Sequence, residues 1–271
     1  MADSRVSLPN ADMPLLSTAH IIAPSAPLRD NRGWREGLQT ELLHGQKFNV
    51  YETGRGWVWG QAVSLVPGSD RPGYVGYVPK KSVSDDVFEA SHCIAALRAP
   101  VFNKPNIKSH IIHALPLNSQ IQGQSEEGDF LQIGAGAYIH VRHLRALSEP
   151  SENLDFVDIA EIYLGAPYVW GGTGAMGVDC SGLLQMALCA AGVDAPRDAD
   201  MQEDELGERL AIEDMDNLKR GDLVFWPGHI GIMWDAETLL HANAFHMKTE
   251  KEPYAEALAR IGTPRRVKRL K

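Results

Sequence analysis

The chain has 271 residues, 44% hydrophobic and 23% charged, which excludes a disordered polypeptide and allows two or three domains. A net charge of −9 argues against nucleic acid as a partner, and no apolar run reaches the ~18 residues of a membrane span. Three cysteines without disulfide or zinc spacing (Cys93, Cys180, Cys189), and a start that lacks a basic then apolar signal, point to a reducing, cytoplasmic setting.

In chain order, residues 1–20 read as a polar leader. From 21 to 86 the apolar residues recur at period two. Residues 47–51, 57–61 and 74–78 are predicted strands, separated by turns rich in Gly and Pro, as in a small barrel. Residues 94–148 repeat the theme in runs 110–115, 120–123, 130–133 and 137–140. Glu149, Pro150 and Ser151 mark a boundary, and 150–271 form the last domain. There, Phe156, Ile159, Ala160, Tyr163 and Leu164 share one helical face, with Gly165 as the stop. Residues 198–218 are acidic and read as loop plus short helix. The basic end, 264–271, reads as a final strand and tail.

The chemistry centres on residues 165–182, a glycine-rich loop that delivers Cys180 to the start of a helix. The helix is apolar on nearly all faces, so it is expected to be buried, and Gly192 stops it. Free backbone N–H groups and the helix dipole at its start are expected to ease formation of the Cys180 thiolate. Downstream, residues 222–226 and 229–234 read as two strands joined by a tight turn, and His229 opens the second. A third apolar run, 239–243, carries His241. A cysteine on a helix N-terminus, a histidine on one strand and a polar ring on the next is the papain-like arrangement. His229 is then the general base, and His241 orients it and fixes its tautomer. Asn243, on the same face as His241, is the weaker candidate for that role. Cys93, Cys189 and the other histidines are read as structural.

Five motifs in this order resemble the NlpC/P60 family of cell-wall cysteine peptidases: Tyr168-Val-Trp170-Gly-Gly, Asp179-Cys180-Ser181-Gly182, Gly221-Asp222-Leu-Val-Phe, His229-Ile-Gly-Ile and Leu240-His241-Ala242. Residues 21–86 resemble a bacterial SH3-type (SH3b) module, and 94–148 resemble a second by strand count and order. The expected fold is therefore α+β, a papain-like NlpC/P60 catalytic domain preceded by two small all-β SH3b barrels. The resemblance implies that Tyr168 and the Cys180 N–H form the oxyanion hole, with Trp170 on the pocket wall. Members with Asp-Cys-Ser beside SH3b modules cut the γ-D-glutamyl bond to a diamino acid. In them the residues at Asp179 and Ser181 hold the free amino end of the first L-alanine. A glutamate matching Glu41 and a tyrosine, either Tyr74 or Tyr77 with Tyr74 favoured, close that end. The implied substrate is a murein tri- or tetrapeptide, L-Ala-γ-D-Glu-diamino acid, with lysine and diaminopimelate both open, and no metal or cofactor is required. The other readings are an SH3b-based wall- or peptide-binding protein with an inactive third domain, and a secreted peptidoglycan hydrolase.

Overall fold

The computed structural model describes residues 3–10, 12–33, 35, 37–151, 154–174, 176–211 and 217–270. The chain forms two compact units, Met1–Ser151 with Thr173–Ala175, and Glu152–Gly172 with Met176–Lys271. The boundary falls at the Glu149-Pro150-Ser151 stretch. Among the described residues no helix is long and apolar enough to cross a membrane.

The first unit holds two β modules. In the first, a five-stranded antiparallel sheet runs in the order Pro72–Pro79, Trp57–Val63, Lys47–Gly54, Ser17–Ile21, Val83–Ser84. A ribbon of Ser25–Leu28 and Thr40–Leu43 accompanies it. Alternation places Phe48 and Val50 inside. Ser17–Ile21 corrects the leader boundary, because four of its five residues lie in the stretch read as leader. It pairs with Lys47–Gly54, and Ala19, His20 and Ile21 are buried. Serine, threonine, alanine and histidine give this strand no apolar alternation, which is why the sequence pattern hides it. The leader also lies on the module, since Val75 N–H donates to the Arg5 carbonyl and Gln61 Nε2 to that of Val6.

The second module contains all four expected strands, as Ile111–Pro116, Gln120–Ile121, Phe130–Gly134 and Ala137–His140. It adds His92–Ile94, Arg98–Phe102, Ser125–Glu127 and Leu144–Ala146. Its core is built by Ile94, Val101, Leu115, Ile121, Leu131 and Ile139.

The second unit is a six-stranded antiparallel sheet with four helices among its described residues. The strand order is Glu208–Arg209, Arg266–Arg269, Leu223–Trp226, His229–Met233, Thr238–Asn243, Lys248–Pro253. The expected basic final strand is thus Arg266–Arg269, held between two others. Helix α1 is Phe156–Glu161, and the Asp155 carboxylate caps it by accepting from Val157 N–H at 2.8 Å. It is shorter than the periodicity predicts. The chain turns out of it toward Gly165 (φ 77°), so Leu164 is 37% exposed and Val157 takes a core position instead. Helix α2 is Cys180–Ala190, with only Gln185 and Cys189 not fully buried, and Gly192 follows at φ 79°. Each leucine it buries contributes about 1.5–3 kcal/mol, so tertiary packing rather than an amphipathic stripe holds it. Helix α3 is Ala199–Glu205, within the acidic stretch, of which residues 212–216 lie outside the described residues. Helix α4 is Tyr254–Ile261.

Candidate active site

The start of α2 is built around Asp179, in extended conformation (φ −92°, ψ −179°), whose Oδ1 accepts from Gly182 N–H at 2.7 Å. Glycine is required at 182 because a Cβ there would lie 2.3 Å from the Gly172 carbonyl oxygen, so loop and helix touch backbone to backbone. Cys180 is 8% exposed, and the backbone N–H groups of Ile230 and Ser181 lie close enough to favour its charged form. Ile230 follows His229, so the sulfur sits against the start of the histidine's strand. Burial pushes the Cys180 thiol up to about 11, and the Asp179 charge adds to this. The two N–H groups and Arg197 oppose the rise without reversing it. The expectation of an eased thiolate is therefore corrected, because in this buried pocket desolvation outweighs the helix start.

His229 opens its strand directly after a two-residue turn. Trp226 pairs with His229 across Pro227 and Gly228, the latter at φ 72°. Its Nε2 lies 2.8 Å from His241 Nδ1. The fully buried His241 places its Nε2 2.6 Å from Glu252 Oε1. Arg260 then donates to both Glu252 oxygens, Nη1 to Oε2 at 2.8 Å and Nη2 to Oε1 at 2.5 Å. Asn243 turns elsewhere, accepting from the His246 backbone N–H at 2.8 Å. Burial pushes His229 down to about 3, with His241 and Arg260 acting in the same direction and Glu252 against it. A neutral thiol and a neutral imidazole are thus the resting forms, and the proton moves only as the sulfur attacks.

Glu252 and Arg260 were not legible as site residues. Residues 248–253 read as a polar, charged run, and only the buried pair Thr249 and Glu252 sets its inner positions apart. His241, His246 and Glu252 bring three ligand atoms within 4.8 Å of one another. Both Glu252 oxygens are already taken by His241 and Arg260, so this donor set is a hydrogen-bonded relay.

Tyr168 bridges to Val178 beside the nucleophile. Burial, then the Cys180 and Asp179 charges, push its phenol well above the usual tyrosine range, so its hydroxyl remains a donor. Trp170 is 73% exposed and presents its ring to solvent. Asp179 does not wait open for an ammonium. Arg197, 4% exposed, forks onto it, with Nη1 2.9 Å from Oδ1 and Nη2 2.7 Å from Oδ2. Gly171 N–H donates to Oδ2 at 2.8 Å, and Arg197 Nη1 also reaches Ser181 Oγ at 2.9 Å. Sequence reasoning missed Arg197, whose only signal is a lone arginine after Ala195-Pro196 at the end of an apolar stretch.

Within the first unit, Glu41 sits on Thr40–Leu43. Its Oε1 accepts from Ser25 Oγ at 2.9 Å, and its Oε2 from the N–H groups of Thr173 and Gly174 at 3.2 and 2.9 Å. Tyr74 is 5% exposed and lines a cavity of about 350 Å³ with Arg5, Asp30, Gln39 and Trp59. Tyr77 instead carries the Arg32 guanidinium over its ring at 5.0 Å.

Residues 165–259 match the NlpC/P60 family. They are an NlpC/P60 domain. The family is one of cysteine peptidases, and this chain is a hydrolase of that class. Residues 28–83 match the bacterial dipeptidyl-peptidase Sh3 domain, ahead of the NlpC/P60 domain. Dipeptidyl-peptidase 6 of Lysinibacillus sphaericus is 27% identical over 247 residues, covering 83% of this chain and 87% of that protein. Gamma-D-glutamyl-L-lysine dipeptidyl-peptidase of Bacillus subtilis is 25% identical over 262 residues, covering 85% and 84%. The crystal structure of an NlpC/P60 family protein from Bacillus cereus aligns with TM-score 0.77 and 20% identity over 93% of this chain and 99% of the other. The overall α+β fold, an NlpC/P60 domain after an SH3-like N-terminal domain, is that of the expectation.

Proposed function

We infer that the chain is a γ-D-glutamyl-diamino acid peptidase acting on murein peptides, L-Ala-γ-D-Glu-diamino acid, with a free amino end. The observation that carries this reading is the packing of the Cys180 helix on the strand that His229 opens, with His229 bonded to His241, in a chain that joins NlpC/P60 and dipeptidyl-peptidase Sh3 domains. The names of two relatives spanning most of both chains support the dipeptide-releasing class.

The chemistry follows from the resting forms. As the Cys180 sulfur attacks the γ-carbonyl, its proton passes to His229, and a C–S bond forms. The negative oxygen is met by the Cys180 N–H and the Tyr168 hydroxyl, which stays protonated. His229 gives its proton to the leaving amine, the C–N bond breaks, and a thioester remains. Water then attacks, giving a proton to His229, and L-Ala-D-Glu leaves as the thiol is restored. Selection of the free amino end cannot rest on Asp179 alone, because Arg197 already neutralises it.

L-Ala-γ-D-Glu-L-Lys and its N-acetylated form decide the specificity when their hydrolysis is followed by chromatography. We expect the free peptide to be cleaved at least ~100-fold faster, which matches the ~3 kcal/mol cost of leaving one buried polar group unpaired. Equal cleavage of both overturns the amino-end requirement.

A further inference from the structure

We propose that Glu252, clamped by Arg260, is a positioning residue that sets the protonation of both histidines and so leaves His229 Nδ1 free to act as base. The inference rests on the reading of Cys180 and His229 as nucleophile and base, and goes beyond it to residues on a further strand and helix.

The assignment follows from donor and acceptor complementarity. Arg260 has only donors, and it spends two of them on the Glu252 carboxylate. An ionised carboxylate only accepts. Burial works to raise the Glu252 pKa, but the bonds from Arg260 and His241 prevail and keep it below the usual range. His241 Nε2, 2.6 Å from Glu252 Oε1, must therefore carry a hydrogen. Burial holds His241 neutral, so its Nδ1 has a lone pair and accepts. His229 Nε2, 2.8 Å from that atom, must then be an N–H, and the lone pair of His229 falls on Nδ1. Moving one hydrogen to His241 Nδ1 would set a lone pair against a carboxylate and leave His229 Nδ1 protonated and useless as a base.

The placement comes from strand register. Glu252 stands opposite Leu239, two residues from His241, so it reaches the ring across the diagonal. Glu250 lies directly opposite His241 but pairs with Lys248 instead. His246 Nδ1 is a further titratable neighbour, 4.0 Å from Glu252 Oε1. Arg260 reaches back from α4, its guanidinium 4.3 Å over the Phe245 ring, so the clamp is fixed by packing as well as charge.

The test is a long-range ¹H–¹⁵N correlation of the histidine rings in the full chain, with kinetics on L-Ala-γ-D-Glu-L-Lys from pH 5 to 9. The parent should show both His229 and His241 as Nε2–H tautomers. Glu252→Gln should disturb that assignment, lower kcat by ~10²-fold, within the range for a mis-set base, leave KM within about twofold and displace the acid limb of the pH profile. Arg260→Gln, on a partly exposed side chain, should give the same changes at ~10-fold or less, and it carries the test if Glu252→Gln does not fold. An Nδ1–H tautomer at His229 in the parent overturns the proposal. Superimposable tautomers and pH profiles in the folded variants do so too. A parent that cleaves no tripeptide contradicts the substrate reading alone, because the ring tautomers are read without substrate.

Discussion

Replacing Cys180 with alanine is expected to reduce tripeptide hydrolysis by on the order of 10⁶-fold, the scale seen when a covalent nucleophile is deleted. No other thiol can substitute. Cys189 lies near the far end of α2 and Cys93 is buried in the second β module of the other unit. The substitution removes one sulfur from a site whose neighbours are backbone N–H groups, so the fold should survive. Calorimetric binding of the same peptide should be retained within a few-fold. Cys180→Ser should be nearly as inactive, since His229, its basicity lowered by burial, would have to take the proton of a far less acidic hydroxyl. Turnover by Cys180→Ala within tenfold of the parent would remove the covalent mechanism.

The largest expected effect on stability is at Arg197. Arg197→Met should cost about 3–5 kcal/mol, the range for removing one partner of a buried ion pair. The Asp179 carboxylate would be left with the Gly171 and Gly182 N–H groups and the Ser181 hydroxyl but no countercharge. Its charge would then act on Cys180 unopposed, raising the thiol further. Urea unfolding of both variants measures this. Asp179→Asn combined with Arg197→Met should recover part of the loss, because the double variant buries no uncompensated charge. An Arg197→Met midpoint matching the parent's would show that the pair does not hold the loop to α2.

Much of the chemistry was legible because it sits in local patterns. A glycine loop running into an apolar helix announces Cys180, and a Pro-Gly turn between two apolar runs places His229 at a strand start. Glu252 and Arg260 were not legible, because their contact with His241 depends on the register of two strands and on where a short helix folds back. Arg197 reaches Asp179 across eighteen positions of sequence, and only the packed loop brings them together. Ser17–Ile21 was hidden since its inward residues include alanine and histidine, which carry little hydrophobic signal. The resting protonation of Cys180 was misjudged for a related reason. Helix position can be read from sequence, whereas the depth of burial that outweighs it depends on the whole fold.

Acid-quenched turnover of L-Ala-γ-D-Glu-L-Lys, digested and mapped by mass spectrometry, tests the nucleophile most directly. We expect an L-Ala-D-Glu acyl group in thioester linkage on the peptide that contains Cys180, appearing before steady state. Free L-Lys released with Cys180 unmodified, or the acyl group on another residue, would contradict it.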